Sequence, residues 1–344
     1  MLLVDRRTML AGALAASAVG ATAAYPSAPA KGGAPIYWQG LIRVGGIKQW
    51  VAIRGRDSAK AAMLFLHGGP CEAHSPFLPV FAPWEERYVV AQWDQRGAGR
   101  SFGEVGIATP NMTLEQIVQD TIEVTRHVLR RLGARKLILV GHSWGTAVGL
   151  SAVRSRPELF HAFVGTGQLV SGAALLARMR SSAVSRAQAA GEAQAAAQIN
   201  GFSSADLVDM NKFRLMARWA EPFSGSDNAY LAMRSTLLKP AADQEGVAVA
   251  DLVSREFACL SKLLPASLDF EAGAVGYDVP VPFFVIQGRD DTRTRPELAQ
   301  AFVNQVRAPA KGYTEIEGGH FACFSNPTAF LNALDSDIGR LGIR

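Results

Sequence analysis

Ser143 stands between two glycines in the run GHSWG, residues 141–145. A serine hydroxyl is a weak nucleophile, and it becomes useful only when a base takes its proton and an acid orients that base. The five-residue pattern by itself says little. With 33 glycines among 344 residues, G-x-S-x-G should arise by chance roughly 0.2 times in this chain. Its setting says more. KLILV (136–140) is a short, branched, apolar run that predicts a fully buried strand, and TAVGLSAVRSRPELF (146–160) has helical spacing ending near Pro157. A strand, a tight turn and a helix would lift the Ser143 side chain to the strand's C-terminal end, whereas an ordinary strand-to-helix turn would bury it.

Six histidines are available as the base: His67, His74, His127, His142, His161 and His320. His142 adjoins the serine, but side chains next to each other in a sharp turn point different ways. His320, in EGGHF, follows the last expected strand on a glycine-softened loop, where a late base could reach the same sheet edge. Asp290 and Asp291, in VIQGRDDTRT, directly follow the strand PFFVIQG (282–288) and are both candidates for the orienting acid. Either could instead cap the next turn. Acyl transfer also needs donors for a tetrahedral oxyanion. FLHGGP (65–70) supplies a glycine loop after a strand, so the Gly69 N–H is one candidate donor and the Trp144 N–H the second. The same glycines lack the G-x-x-x-x-G-K spacing of a phosphate loop.

These residues need a frame. GLIRVGGIKQWVAIRG (40–55) predicts a β-hairpin around Gly45-Gly46, and AAMLFL (61–66), YVVAQW (88–93), HAFVGTGQ (161–168) and YTEIEGG (313–319) predict further strands. LEQIVQDTIEVTRHVLRRLG (114–133) predicts a helix stopping at Gly133, and RPELAQAFVNQV another. Alternating strands and helices imply an α/β fold with a mostly parallel sheet covered on both faces. Between 170 and 275 the texture turns helical and Ala/Arg/Gln-rich, which predicts a cap inserted above the strands' C-terminal ends. The expected organisation is an N-terminal segment over 1–30, a core over 31–169 and 276–344, and a helical cap over 170–275.

The first 30 residues have Arg6-Arg7, a small-residue apolar run and then ATA (21–23). This is the order of an export signal, and the paired arginines before TML resemble the twin-arginine class. The expectation is an exported protein, periplasmic or secreted. It would meet the export machinery transiently and keep no stable membrane span once the signal is removed. The net charge is +5, with Lys and Arg scattered rather than clustered, so no nucleic-acid partner is expected. Cys71, Cys259 and Cys323 form no metal-ligand spacing, and no metal is expected.

HGGP (67–70), WDQRGAGRS (93–101), GHSWG (141–145), GRDD (288–291) and GGHF (318–321) follow one another over some 250 residues. Taken together they resemble the proline iminopeptidase branch of the α/β-hydrolases, the Asp-Gln-Arg-Gly-x-Gly-x-Ser run being the most specific element. The resemblance implies an α/β-hydrolase fold with an inserted helical cap and a Ser143-Asp291-His320 triad, working without a cofactor. It favours Asp291 over Asp290, and it gives Asp94 and Arg96 a loop-holding role. The implied reaction is release of N-terminal residues, proline especially, from small peptides. The chain departs from the family at Cys71, where glycine is common, and at His142 beside the serine.

An aminopeptidase must also hold a charged substrate amine, which calls for carboxylates in the cap. Glu192, Glu221, Glu245 and Glu256 are candidates, and Glu221, beside an aromatic residue in RWAEPF, is placed first. Cys71 and Cys323 are expected to lie close, as two buried thiols or as a bridge. The alternatives to the peptidase are an esterase, lactonase or amidase using the same triad on a small molecule, and an exported binding protein without turnover. Epoxide hydrolases and dehalogenases are disfavoured, since an aspartate would stand where Ser143 does.

Overall fold

The computed structural model describes residues 33–103 and 105–343. The export-signal expectation over 1–30 lies outside these residues. Eight strands form one sheet in the order β1-β2-β4-β3-β5-β6-β7-β8. The first two, β1 (Ile36–Val44) and β2 (Ile47–Gly55), are the expected hairpin, and β1 begins four residues before the alternating run at Gly40. They pair antiparallel with each other and, through β2, with β4 (Val89–Trp93). From β4 onward the sheet is parallel, through β3 (Ala62–Leu66), β5 (Leu137–His142), β6 (Phe160–Thr166), β7 (Phe283–Gly288) and β8 (Lys311–Ile316).

Parallel strands buried on both faces should be apolar throughout; β3 is, and β5 is up to its last residue, His142. Successive residues of β3 go to opposite sides. Leu64 and Leu66 join the core layer on one face, and Met63 and Phe65 the layer on the other. The short helix α1 (Ala82–Glu85) leads into β4. Helix α2 (Leu114–Leu132) starts where the Thr113 side chain accepts from the Gln116 amide and ends at left-handed Gly133, as its sequence predicts. Helix α3 (Trp144–Ser155) follows β5.

Between β6 and β7 the chain leaves the sheet for a helical region. It runs through α4 (Gly172–Ala189), α5 (Ala193–Asn200), α6 (Met210–Trp219), α7 (Asn228–Glu245), α8 (Val249–Leu268) and the short α9 (Ala272–Val275). This region has an apolar centre of its own, including Ile199, Leu207, Met216 and Leu264. The fold closes with α10 (Pro296–Gln305), the short α11 (Ala322–Ser325) and α12 (Pro327–Gly339). Among the described residues no helix is long and apolar enough to cross a membrane.

The cysteine expectation needs correcting. A disulfide joins Cys71 to Cys259 on α8, and Cys323 is buried and unbridged. The reason is layering. Cys71 and Cys259 belong to one core layer, while Cys323 at the start of α11 belongs to the layer on the other face of the sheet. The bridge spans 188 residues, and closing so long a loop should restrict the unfolded chain strongly. Cys259→Ala is therefore expected to lower unfolding free energy by about 2–5 kcal/mol, measured by urea melts without reductant. Equal stability with and without dithiothreitol for the parent chain would contradict it.

Candidate active site

At the end of β5 the backbone turns abruptly. Ser143 has φ 52° and ψ −118°, a conformation L-residues rarely adopt, and α3 begins at the next residue. The flanking glycines are required by close approach. A Cβ on Gly145 would lie 2.2 Å from the Leu66 carbonyl oxygen, and one on Gly141 would lie 2.5 Å from that of Gly145. The Ser143 amide donates to the Thr166 carbonyl (3.0 Å), which fixes the turn to β6. The Ser143 hydroxyl makes no hydrogen bond to a described residue and lines a cavity of about 370 Å³.

His320 lines the same cavity. Its Nδ1 lies 2.9 Å from Asp291 Oδ2, and both side chains are buried. Asp291 is held hard. Its Oδ1 accepts from the amides of Arg293 (2.7 Å) and Thr294 (2.9 Å), and its Oδ2 from Gln287 Nε2 (2.8 Å) and Thr294 Oγ1 (2.7 Å). Burial works against the charge of this carboxylate, but His320 and the Thr294 donors outweigh it and hold the pKa below the usual range. Asp290, by contrast, is exposed. With Nδ1 bonded to the acid, the His320 ring keeps Nε2 free of described partners, which is the arrangement a base toward Ser143 needs.

Two further groups fix the His320 backbone, and neither is legible as such in the sequence. His142 Nε2 donates to the His320 carbonyl at 2.9 Å. Burial lowers the His142 pKa to about 3, so it serves as a neutral spacer. Asp227, fully buried at the end of the short turn before α7, accepts from the amides of His320 (3.0 Å) and Phe321 (2.9 Å). A carboxylate from the helical region thus grips the loop that carries the imidazole.

The Gly69 and Trp144 amides, the two candidate oxyanion donors, give no hydrogen bond to a described group, and Gly69 and Ser143 line the same cavity. The loop and the elbow are coupled through Gln95. Its amide donates to His67 Nε2 (3.0 Å), its side-chain nitrogen donates to the His67 carbonyl (3.0 Å), and its Oε1 accepts from Trp144 Nε1 (3.1 Å). The flanking residues hold loops, as the resemblance implied. Asp94 accepts from the amides of His74, Ser75 and Arg100 at 2.8–2.9 Å. Arg96 forms a fully buried, two-toothed ion pair with Asp120 (2.8 and 3.0 Å).

The four cap glutamates separate. Glu192 is exposed, and Glu245 pairs with Arg255 (2.8 Å) and Arg100 (3.4 Å) beside a surface cleft. Glu221 is ion-paired to Arg178 and does not line the cavity with Ser143. Glu256 does line it, and so does Glu72, which the sequence does not single out. Arg234 lies between them, 2.8 Å from Glu256 and 3.4 Å from Glu72. Burial pushes the Glu72 carboxyl up against the pull of Arg234. The remaining walls are largely apolar, among them Met179, Leu207, Phe213 and Leu260. Among the described residues no group of three His, Cys, Asp or Glu side chains is placed to hold a metal ion. A wider, shallower depression beside Arg154, Asp278 and Arg307 lies away from all of these groups.

Comparison with known proteins adds to this geometry. A probable aminopeptidase of Bacillus subtilis (strain 168) is 37% identical over 131 residues, 38% of this chain and 41% of its own. A probable proline iminopeptidase of Streptomyces coelicolor is 33% identical over 134 residues, 38% and 40% of the two chains. The matches thus span about two fifths of the length of these curated relatives. Among solved structures, a proline iminopeptidase-related protein from Thermus thermophilus superposes with a TM-score of 0.61 at 20% identity, over 89% of this chain and 98% of its own. The enol-lactonase of Burkholderia xenovorans gives 0.58 at 15% identity, over 87% and 100%. At such identities the likeness is one of fold. The family described as alpha/beta hydrolase fold matches residues 61–327, which run from β3 into the start of α12 and take in the elbow, the Asp291 turn and the His320 loop. The chain therefore belongs to the alpha/beta hydrolase family, with proline iminopeptidases and a probable aminopeptidase among its distant relatives.

Proposed function

We propose that the protein is a serine aminopeptidase that releases N-terminal residues, with a proline-type preference, from small peptides. The observation that carries the proposal is the Asp291–His320 bond opening onto the cavity that also holds Ser143, Glu72 and Glu256. In this reading Ser143 Oγ attacks the scissile carbonyl carbon while its proton passes to His320 Nε2. Asp291 holds the imidazolium, and the Gly69 and Trp144 amides receive the oxyanion. The C–N bond then breaks as His320 returns the proton to the leaving amine. Water attacks the acyl-enzyme, giving its proton to His320, and Ser143 leaves as the hydroxyl again.

Glu72 and Glu256 set two carboxyl groups against the one guanidinium of Arg234, which suits a substrate ammonium. Glu221, committed to Arg178, is the weaker choice. The names of the curated relatives support the same activity. The second reading, an esterase or lactonase on the same triad, is favoured by the apolar walls and by Arg234 occupying the space between the two carboxylates. The enol-lactonase shares the fold.

Assay on proline and alanine N-terminal amides, on the same amides with the amine blocked, and on short acyl esters separates the two. Cleavage confined to free-amine substrates is expected. Ester turnover indifferent to the amine would move the assignment to the esterase.

Export to an oxidising compartment remains our reading of residues 1–30, and the Cys71–Cys259 bridge fits it, since such bridges persist mainly outside the reducing cytosol. N-terminal sequencing of protein recovered from the periplasm or medium is expected to begin shortly after ATA (21–23). Recovery of the intact chain from the cytosol alone would overturn it.

A further inference from the structure

The cavity has a second charged group that the proposed reaction does not use. Arg293 follows the acid by two residues in the turn after β7, and it lines the same cavity as Ser143 and His320. Its guanidinium lies over the Phe223 ring, 4.2 Å from the centroid, and that ring in turn stacks on His320 at 6.0 Å and 25°. The backbone is fixed, because the Arg293 amide donates to Asp291. The guanidinium, however, makes no hydrogen bond and no ion pair with any described residue. Asp291, Glu221 and Asp227 are near enough to favour its charge. None of them accepts from it: the Asp291 and Asp227 oxygens are taken by other donors, and Glu221 is held by Arg178.

A largely buried guanidinium with five donors and no acceptor among the described residues is costly, and burial indeed lowers its pKa. Planar guanidinium matches a carboxylate with two parallel hydrogen bonds better than it matches any neutral group. The cavity is thus lined by two carboxylates, Glu72 and Glu256, with Arg234 between them, by the further cation Arg293, and by the nucleophile Ser143.

We propose that Arg293 is a specificity-determining residue that binds the terminal carboxylate of the substrate, so that the site takes free dipeptides and comparably short zwitterionic peptides. The inference rests on the reading that Ser143 acts on peptides in this cavity. It narrows that reading to substrates whose amine and carboxylate are both captured, and it makes amidated or long peptides poor ligands. About 370 Å³ suits a peptide of that size.

The test uses the dipeptide Pro-Ala and its C-terminal amide, measured two ways. In calorimetry with the Ser143→Ala protein, which holds ligand without turning it over, Pro-Ala is expected to bind about 10- to 100-fold more tightly than the amide. Adding Arg293→Gln removes that gap, and adding Arg293→Lys keeps part of it, with circular dichroism verifying the fold of each. In turnover, the otherwise unaltered chain shows the same preference in kcat/KM, and Arg293→Gln loses it. Equal binding of the two ligands, a gap that survives Arg293→Gln, or no binding of either up to roughly 10 mM overturns the assignment. The two readings fail separately. If free-amine substrates are cleaved but Pro-Ala and its amide equally well, the aminopeptidase stands and the role of Arg293 falls. If Arg293-dependent binding is seen but neither peptide is cleaved, the carboxylate site stands and the aminopeptidase falls.

Discussion

Replacing Ser143 with alanine lowers turnover of every accepted substrate by about 10⁴- to 10⁶-fold and leaves the fold intact. The second half follows from the hydrogen bonds. What fixes residue 143 is its amide on the Thr166 carbonyl and the glycine packing on either side, all of which alanine keeps. The hydroxyl itself bonds to nothing described, so its loss costs little stability. A companion pair sharpens the result. Asp291→Asn, which disturbs the tautomer of His320, should cost about 10⁴-fold in kcat, while Asp290→Asn on the exposed side of the turn should stay near the parent rate. The measurement is steady-state kinetics on the best substrate of the amide and ester panel, with melting curves for each variant. Activity within tenfold of the parent in Ser143→Ala would remove the nucleophile and with it the mechanism.

The largest loss of stability is expected from Asp120→Ala. Arg96 and Asp120 are fully buried, and the carboxylate also accepts from Gln49 Nε2 (2.7 Å) and Gln116 Nε2 (2.8 Å). The guanidinium reaches on to the carbonyls of Gly45 (2.8 Å) and Pro110 (3.2 Å). Taking away the carboxylate strands a buried charge, at a cost of about 3–5 kcal/mol, a large part of the about 5–15 kcal/mol that a domain commonly has. Replacing both partners together, as Arg96→Met with Asp120→Leu, should recover much of it, because a buried pair is often worth no more than the apolar groups that could fill its place. Urea denaturation monitored by fluorescence reads both. A loss below 1 kcal/mol in Asp120→Ala would mean that water reaches Arg96 and that the pair is not the hub we describe. Activity should fall with stability here, since Gln95, next to Arg96, ties the Gly69 loop to the elbow.

The sheet and the Ser143, Asp291 and His320 positions are readable in the sequence because each depends on a short local pattern. Buried parallel strands are continuous apolar runs, and the elbow shows as a five-residue motif set between a strand pattern and a helix pattern. The last helix has local signals too, although it is absent from the elements expected above. Asn326 accepts from the Ala329 amide, Pro327 takes the first turn, and Phe330, Leu331, Leu334 and Ile338 bury one face. What no local pattern could give is how the helical region meets the core loops. Glu72, Asp227 and Glu256 gain their positions only from how α7 and α8 pack against loops far away in sequence. Glu221 looks favourable because its apolar neighbourhood is visible locally, whereas its partner Arg178, 43 residues away, is not. The same holds for cysteine pairing. Two loops near one edge suggest that Cys71 and Cys323 lie close, but the sheet itself separates them.

The bridge between Cys71 and Cys259 closes a covalent ring through the main chain. That ring contains β4, β5 and β6 and the helical region as far as α8, so it threads through sheet and cap alike. A protease that cuts once within it, for example at the exposed Gly191–Glu192 tip, divides the polypeptide without dividing the molecule. The two pieces remain one covalent body, with the Gly69 loop and Ser143 on one and Asp291 and His320 on the other. In an environment rich in proteases and poor in thiols, the ring lets the protein outlast an injury to its backbone, and only a reductant would reveal that the injury had happened.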